Sequence, residues 1–398
     1  MTTRAIARTA AVTLVKTALV HDYLNQRGGA ERVFAHFAEA WPEAPVYTAL
    51  YDERATGDLV PKERVRTSFL QHFPLRERLF RAYAPLYPRA FESFDLSEYD
   101  LIVSSTTAWA KGVLVRPDAT HVCYINTVAR FVFDETRYVG GFGAGALARP
   151  LIRRLAAWDV RAAQRPTRFV ANSRNVAGRV RRWYGREADV LPCPVDVERF
   201  TLGAGSGNYY VVVSRLLPYK QIDLAIAACA TAGVPLHVVG TGPDERRLQA
   251  LARGTRTTFH GAVDDETRNA IVGEARAAIL PGEEDFGLVP LEAAAAGRPT
   301  IAYAAGGALE TIVPDETGVF FTAPTAEALA TVIRTFDPTR YDPARLRAHA
   351  EQYRPERFIA RLRAIVDETL GRSTGSLQPA TPLSGARSTS NAAPNDVS

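Results

Sequence analysis

The chain has 398 residues, 46% of them hydrophobic, with a net charge of +5 and an isoelectric point near 9.1. That length favours two domains with sizeable cores, and there is no run of about twenty apolar residues to span a membrane. The three cysteines, Cys123, Cys193 and Cys229, are scattered and form no CxxC pair, which argues against a disulfide framework or a zinc site and fits a reducing cytoplasm.

Residues 1–16 carry Arg and no acid, faintly like a targeting segment, but their apolar stretch is short and runs straight into a strand. They read as a loose extension. TALVHDYL (17–24) is then a buried strand, QRGG a turn, and AERVFAHFAEAW a helix with Val33, Phe34, Phe37 and Trp41 on one face. DLIVSSTTAWA (100–110), THVCYINT (120–127) and RFVANS (168–173) are further core strands. The prolines and glycines of LPCPVDVERFTLGAGSGN (191–208) suit a hinge, with a first domain over 17–196 and a second over 197–352.

A second strand series follows: NYYVVVSR (208–215), PLHVVGTG (235–242), TTFHGAV (257–263), AAILPG (277–282) and PTIAYAAGG (299–307). Strands alternating with helices predict α/β architecture, two Rossmann-like parallel-sheet domains facing a cleft. PERFIARLRAIVDETL reads as an amphipathic C-terminal helix within 353–372, and 373–398 as a low-complexity, disordered tail.

Three glycine-bearing turns sit where such folds hold ligands, outside the carboxyl ends of strands. In EEDFGLVPLE a strand ends near Leu280, a loop carries Glu284 and Gly287, and Pro290 suits the first turn of a helix that Gly297 and Pro299 end. The amides of Gly287, Leu288 and Val289 then form a phosphate site at a helix N-terminus. Glu292 is positioned for the vicinal hydroxyls of a ribose and Glu284 for a group beyond the phosphate; the alternative is that both acids merely cap the helix. In SRLLPYK, Arg215 and Lys220 supply two cations to neutralise a departing diphosphate, although basic residues at strand ends are common. Lys220 stands out because the chain has only three other lysines, Lys16, Lys62 and Lys111, against 44 arginines. Gly28 and Gly29 permit close backbone approach, but QRGGAER is not GxGxxG and gives no support for a dinucleotide site. GTGPDERR (240–247) is a similar turn.

As a set, Glu284…Glu292 in EDFGLVPLEAAAAGRPTIA, SRLLPYK and GGAER resemble the family 4 glycosyltransferases, a retaining group of GT-B fold, over roughly residues 17–370. The resemblance implies that Arg215 and Lys220 hold the donor diphosphate. It further implies that the Leu288 and Val289 amides bind the distal phosphate, that Glu292 holds the ribose, and that Glu284 touches the transferred sugar. Phe286 and Gly287 belong to the same donor-binding turn, and Gly28 and Gly29 close the cleft from the other side. VHDYLNQRGGAERVF, DLIVSSTTAWAKGV and HVCYINTVARFVFDE are most similar to mannosyltransferases of O-antigen and exopolysaccharide assembly. Relatives usually carry histidine and proline where this chain has Asn126 and Val128. Asn126 thus takes the catalytic position that touches the sugar, where it can hydrogen-bond but cannot carry a proton. Tyr124 and Arg130, in the same segment, are expected on the acceptor side.

The expected activity is retaining transfer of mannose from GDP-mannose to a lipid-linked (polyprenyl-diphosphate) or polysaccharide acceptor. It needs no cofactor and no metal, since no Asp-x-Asp site is evident. The alternatives are another donor such as a UDP-sugar, or a non-catalytic GT-B-like protein that binds nucleotide or a partner. A phosphorylase is disfavoured by the absence of a pyridoxal-lysine context around Lys220. Eleven arginines against one acid between Arg149 and Arg186, and Arg76, Arg78 and Arg81 among apolar residues in 61–88, suit an anionic membrane surface. Solvated helix faces are an equal reading. Nucleic acid is not expected, because no binding motif accompanies the charge. The expected location is cytoplasmic, peripheral at the inner face of the plasma membrane.

Overall fold

Short apolar runs rich in β-branched residues, with little alternation, build sheets buried on both faces. The computed structural model describes residues 15–133 and 149–371, the side chains of Glu77 and Arg78 excepted. The extension through residue 14 and the tail from 372 lie outside the described residues.

In the first sheet β1 (Thr17–His21), β2 (Val46–Thr48), β3 (Val65–Thr67), β4 (Leu101–Thr106), β5 (Thr120–Ile125), β6 (Arg168–Ala171) and β7 (Ala188–Val190) take the order β3-β2-β1-β4-β5-β6-β7. In the second, β8 (Tyr210–Val213), β9 (Leu236–Val239), β10 (Thr257–Gly261), β11 (Ala277–Leu280), β12 (Thr300–Tyr303) and β13 (Gly318–Phe321) take the order β10-β9-β8-β11-β12-β13. All the pairings are parallel, with Leu19 opposite Val103 and Tyr210 opposite Ala277 at the two central seams. Two Rossmann-like parallel sheets are therefore present, as expected. Strand order reverses at β1/β4 and at β8/β11, and ligand crevices open at the carboxyl ends of such switch points.

The helices that position the site are α1 (Gly29–Ala40), α2 (Arg149–Ala162), α3 (Arg174–Tyr184), α4 (Asp265–Glu274), α5 (Leu288–Ala295) and α6 (Pro355–Thr369). On α1 the 3.6-residue period buries Val33, Phe34 and Phe37, each contributing about 1.5–3 kcal/mol; Trp41 falls at the C-cap instead. The last helix returns to the first sheet. Phe358 of α6 packs 5.6 Å from both Phe37 and Tyr124. Arg168 donates to Thr369 Oγ1 at 3.2 Å and pairs with Glu368. Before α6, the chain crosses beside the 191–208 linker, with Val195 N donating to the Tyr353 carbonyl at 2.8 Å.

Two polar groups are built into the first half. The Asp22 carboxylate, 1% exposed, accepts from the Thr106 and Thr107 hydroxyls and from four successive amides, Thr107 to Ala110. It fixes the loop leaving β4. The buried Lys111 ammonium meets Asp159 of α2, whose other oxygen accepts from Tyr184 at 2.6 Å.

Buried histidines give the fold an acid limit. Burial lowers His21 from 6.5 to about 4, against an opposing pull from Asp22, and lowers His121 from 6.5 to about 3. Both rings are neutral when folded but take up protons in the unfolded chain below about pH 6.5, so stability is full above that value and falls as the pH drops towards 4. The unfolding free energy from urea titrations between pH 7 and 4 should decline, with a slope of up to about 1.4 kcal/mol per pH unit for each histidine. A His121→Asn variant should show a flatter profile; an unchanged slope would remove His121 as a contributor.

Candidate active site

β11 feeds the donor loop. Gly287 has φ of 90°, where a side chain would be strained, and it turns the chain directly into α5. Pro290 is the third residue of α5 and Glu292 the fifth, and no side chain caps the helix, which leaves its first amides directed at the cleft. Glu284 is fixed by a bridge to Gly306 and by the Gly307 amide, which donates to its carbonyl at 2.9 Å. The turn after β8 (Pro218–Lys220) brings Lys220 Nζ to 2.5 Å from Glu284 Oε1. Arg215 is exposed at the end of the same strand. The GTG turn braces this loop: Leu216 N donates to Thr241 O at 2.9 Å, and Asp244 N donates to Leu216 O at 3.1 Å.

The first half meets this surface. A Cβ on Gly29 would stand 3.1 Å from Leu288 Cδ1, so the two halves touch where the sequence suggested closure. The Gly28 amide donates to Glu31 Oε2 at 2.8 Å, and Gln26 donates to the other oxygen at 3.3 Å. Burial pushes the Glu31 carboxyl up, while backbone hydrogen bonds, Gln26 and the Arg215 charge pull it down.

Other expectations change. Tyr124 is not on an acceptor surface: it is fully buried, donates to the Leu191 carbonyl at 3.0 Å and packs on Phe37. Its ring fills the space between β5 and α6, and burial holds the phenol protonated. The side chain of Phe286 is likewise a core group, 4% exposed and 6.2 Å from Tyr353, so its ring supports the loop from beneath. Asn126 lies at the end of β5 but is 8% exposed; its Nδ2 donates to Ser105 Oγ at 3.1 Å and Thr106 O at 3.3 Å. Its amide ties β5 to the end of β4. Arg130 turns towards the donor half and pairs with Asp285.

Arg179 of α3 meets Asp285 as well and reaches Glu283 Oε1 at 2.6 Å. Ser173 Oγ donates to the Asp285 carbonyl at 2.7 Å, and Glu310 accepts from the first amides of α3 at 2.8 and 2.9 Å. Thus the acid run divides: Glu283 and Asp285 bind the opposite half, and Glu284 turns to Lys220. Sequence reasoning missed Arg179, Glu310, Asp22 and Arg32. Only Arg32 carried a signal, as the last residue of GGAER; it lies 3.5 Å from Glu292 and 3.3 Å from Asp265.

Comparison with known proteins agrees with this architecture. The model for Glycosyltransferase Family 4 matches residues 27–199, and that for Glycosyl transferases group 1 matches residues 196–353. A glycogen synthase of Mycobacterium tuberculosis (strain H37Rv) is 30% identical over 235 residues, 54% of this chain, but the chain spans only about half (55%) of that relative's length. A GDP-mannose-dependent alpha-(1-6)-phosphatidylinositol monomannoside mannosyltransferase of Mycolicibacterium smegmatis is 26% identical over 72% of this chain and 89% of its own. Among solved structures, Anabaena HepE in complex with UDP and glucose aligns with a TM-score of 0.68 at 20% identity, covering 89% of this chain and all of that one. Sucrose-phosphate synthase from Thermosynechococcus elongatus also reaches 0.68, at 19% identity, covering 89% and 99%. The two family models together run through both sheets and the crossing between them, and the structural likeness is to proteins with the same pair of sheets: the chain belongs to the family 4 glycosyltransferases and has the GT-B fold.

Proposed function

We propose that this protein transfers mannose from GDP-mannose, with retention of configuration, to a hydroxyl of a lipid-linked or polysaccharide acceptor in cell-surface glycan assembly. The observation that carries the reading is the convergence of Lys220, Glu284 and the uncapped start of α5, with Glu292 four residues further on. A cation and amides face the leaving diphosphate, one carboxylate faces the sugar and one the ribose. The bond from the anomeric carbon to the phosphate oxygen breaks as the acceptor oxygen attacks from the same face, and the acceptor proton passes to the departing phosphate. Charge on that phosphate grows towards the transition state, so Lys220, Arg215 and the amides act chiefly there. Asn126 supports positioning through the loop ends it joins.

The mannose assignment follows the motif resemblance and the mycolicibacterial relative. A UDP-sugar is the second reading, favoured by HepE, which was solved with UDP and glucose. An acceptor at an anionic membrane is supported by α2, which exposes Arg149, Arg153 and Arg154 beside Leu151; among the described residues no helix is long and apolar enough to cross a bilayer. Much of the neighbouring basic stretch is engaged internally, Arg165 with Glu92 and Arg168 with Asp189.

The test is a transfer assay with labelled GDP-mannose and UDP-glucose on a polyprenyl-diphosphate-linked oligosaccharide in anionic or zwitterionic vesicles, with and without EDTA. Mannose transfer that survives EDTA and is at least severalfold faster on anionic vesicles is expected. Transfer from UDP-glucose alone selects the second reading. Nucleotide binding without transfer from either donor would identify a non-catalytic protein.

A further inference from the structure

Glu292, assigned above to the ribose, is not idle in the nucleotide-free protein. Its carboxylate is 17% exposed and, among the described residues, accepts no hydrogen bond; its ion pair is with Arg32 of α1, at 3.5 Å. That separation makes the contact Coulombic rather than a hydrogen bond. The guanidinium is held by Asp265 of α4 at 3.3 Å, a carboxylate shared with Arg199 and Arg268 at 3.2 Å each, and its Nε is buried without a partner. Both members of the Arg32–Glu292 contact therefore keep unfilled hydrogen-bonding capacity at a partly exposed seam. The cavity they line with His36, Asp196, Arg199 and Leu288 measures about 30 Å³, room for water but not for a ribose.

We infer that Arg32 stands in for the ribose: it holds Glu292 while no nucleotide is bound and must leave that carboxylate when the diol arrives. The inference rests on Glu292 being the ribose-binding group. The latch is weak, as expected for a partly exposed pair.

The experiment is isothermal titration of GDP and UDP, and of their 2′,3′-dideoxy forms, into wild type, Arg32→Met, Arg32→Gln and Glu292→Ala. Working at 0.15 M salt screens the lost Arg32 charge at the diphosphate. Both Arg32 variants should bind the ribonucleotide about two- to fivefold more tightly, and their preference for ribo over dideoxy should rise, because the carboxylate is no longer pre-neutralised. A purely structural role for Arg32 would weaken both nucleotides alike. Unchanged or weaker binding in both variants, with Glu292→Ala still losing the ribo preference, overturns the latch and leaves the ribose assignment standing. If Glu292→Ala keeps the ribo preference, the donor-site reading itself falls, and the latch with it.

Discussion

Lys220→Ala lowers kcat by about 10²–10³-fold, with a smaller rise in donor KM, the pattern of a group whose partner charge develops in the transition state. The ammonium sits 2.5 Å from Glu284, and the two side chains are 18% and 21% exposed. Glu284 thus holds the lysine in place at the mouth of α5 before any diphosphate is present. Losing a partly exposed pair costs the free protein less than about 1 kcal/mol, so the unfolding midpoint should barely move while turnover collapses. Single-turnover transfer at saturating donor, beside a denaturation curve, separates the two effects. Near-normal turnover would mean that the diphosphate leaves without help from Lys220.

Asp159→Ala acts on stability, not chemistry, and destabilises the fold by about 3–5 kcal/mol. Lys111 is wholly buried, and Asp159 is 1% exposed. Removing the carboxylate strands a buried ammonium and takes from Tyr184 the acceptor of its 2.6 Å hydrogen bond. Buried pairs contribute little net energy over a packed apolar substitute, so Lys111→Met combined with Asp159→Leu should recover most of the loss. Equilibrium urea unfolding of the three proteins checks both signs. A single variant as stable as wild type would mean that water reaches Lys111.

The sequence is most readable where local chemistry is strong. Apolar runs such as DLIVSSTT and TALVH gave the central strands, because a strand covered on both faces needs little but bulk. By contrast, β2, β3 and β7 are three residues each, too short to set a pattern of their own, and β13 begins at Gly318 directly after the polar run PDET, which masks its start. In the site, the Glu-x7-Glu spacing and the SRLLPYK turn were legible because backbone geometry within one loop creates the chemistry. What crosses the cleft was not. That Asp285 meets Arg130 and Arg179, or that Arg32 faces Glu292, depends on how two separately coded halves meet. Tyr124 was misread for a related reason: alternation along β5 does not reveal that α6 returns from the far end of the chain to cover it.

That return has a mechanical consequence. The polypeptide passes between the halves twice, near residue 195 and near residue 353, and the two passages are joined by the hydrogen bond from Val195 to Tyr353. The halves are thus connected by two strands of chain that lie side by side. Any relative movement of the halves must therefore bend both passages together at the point where they are joined.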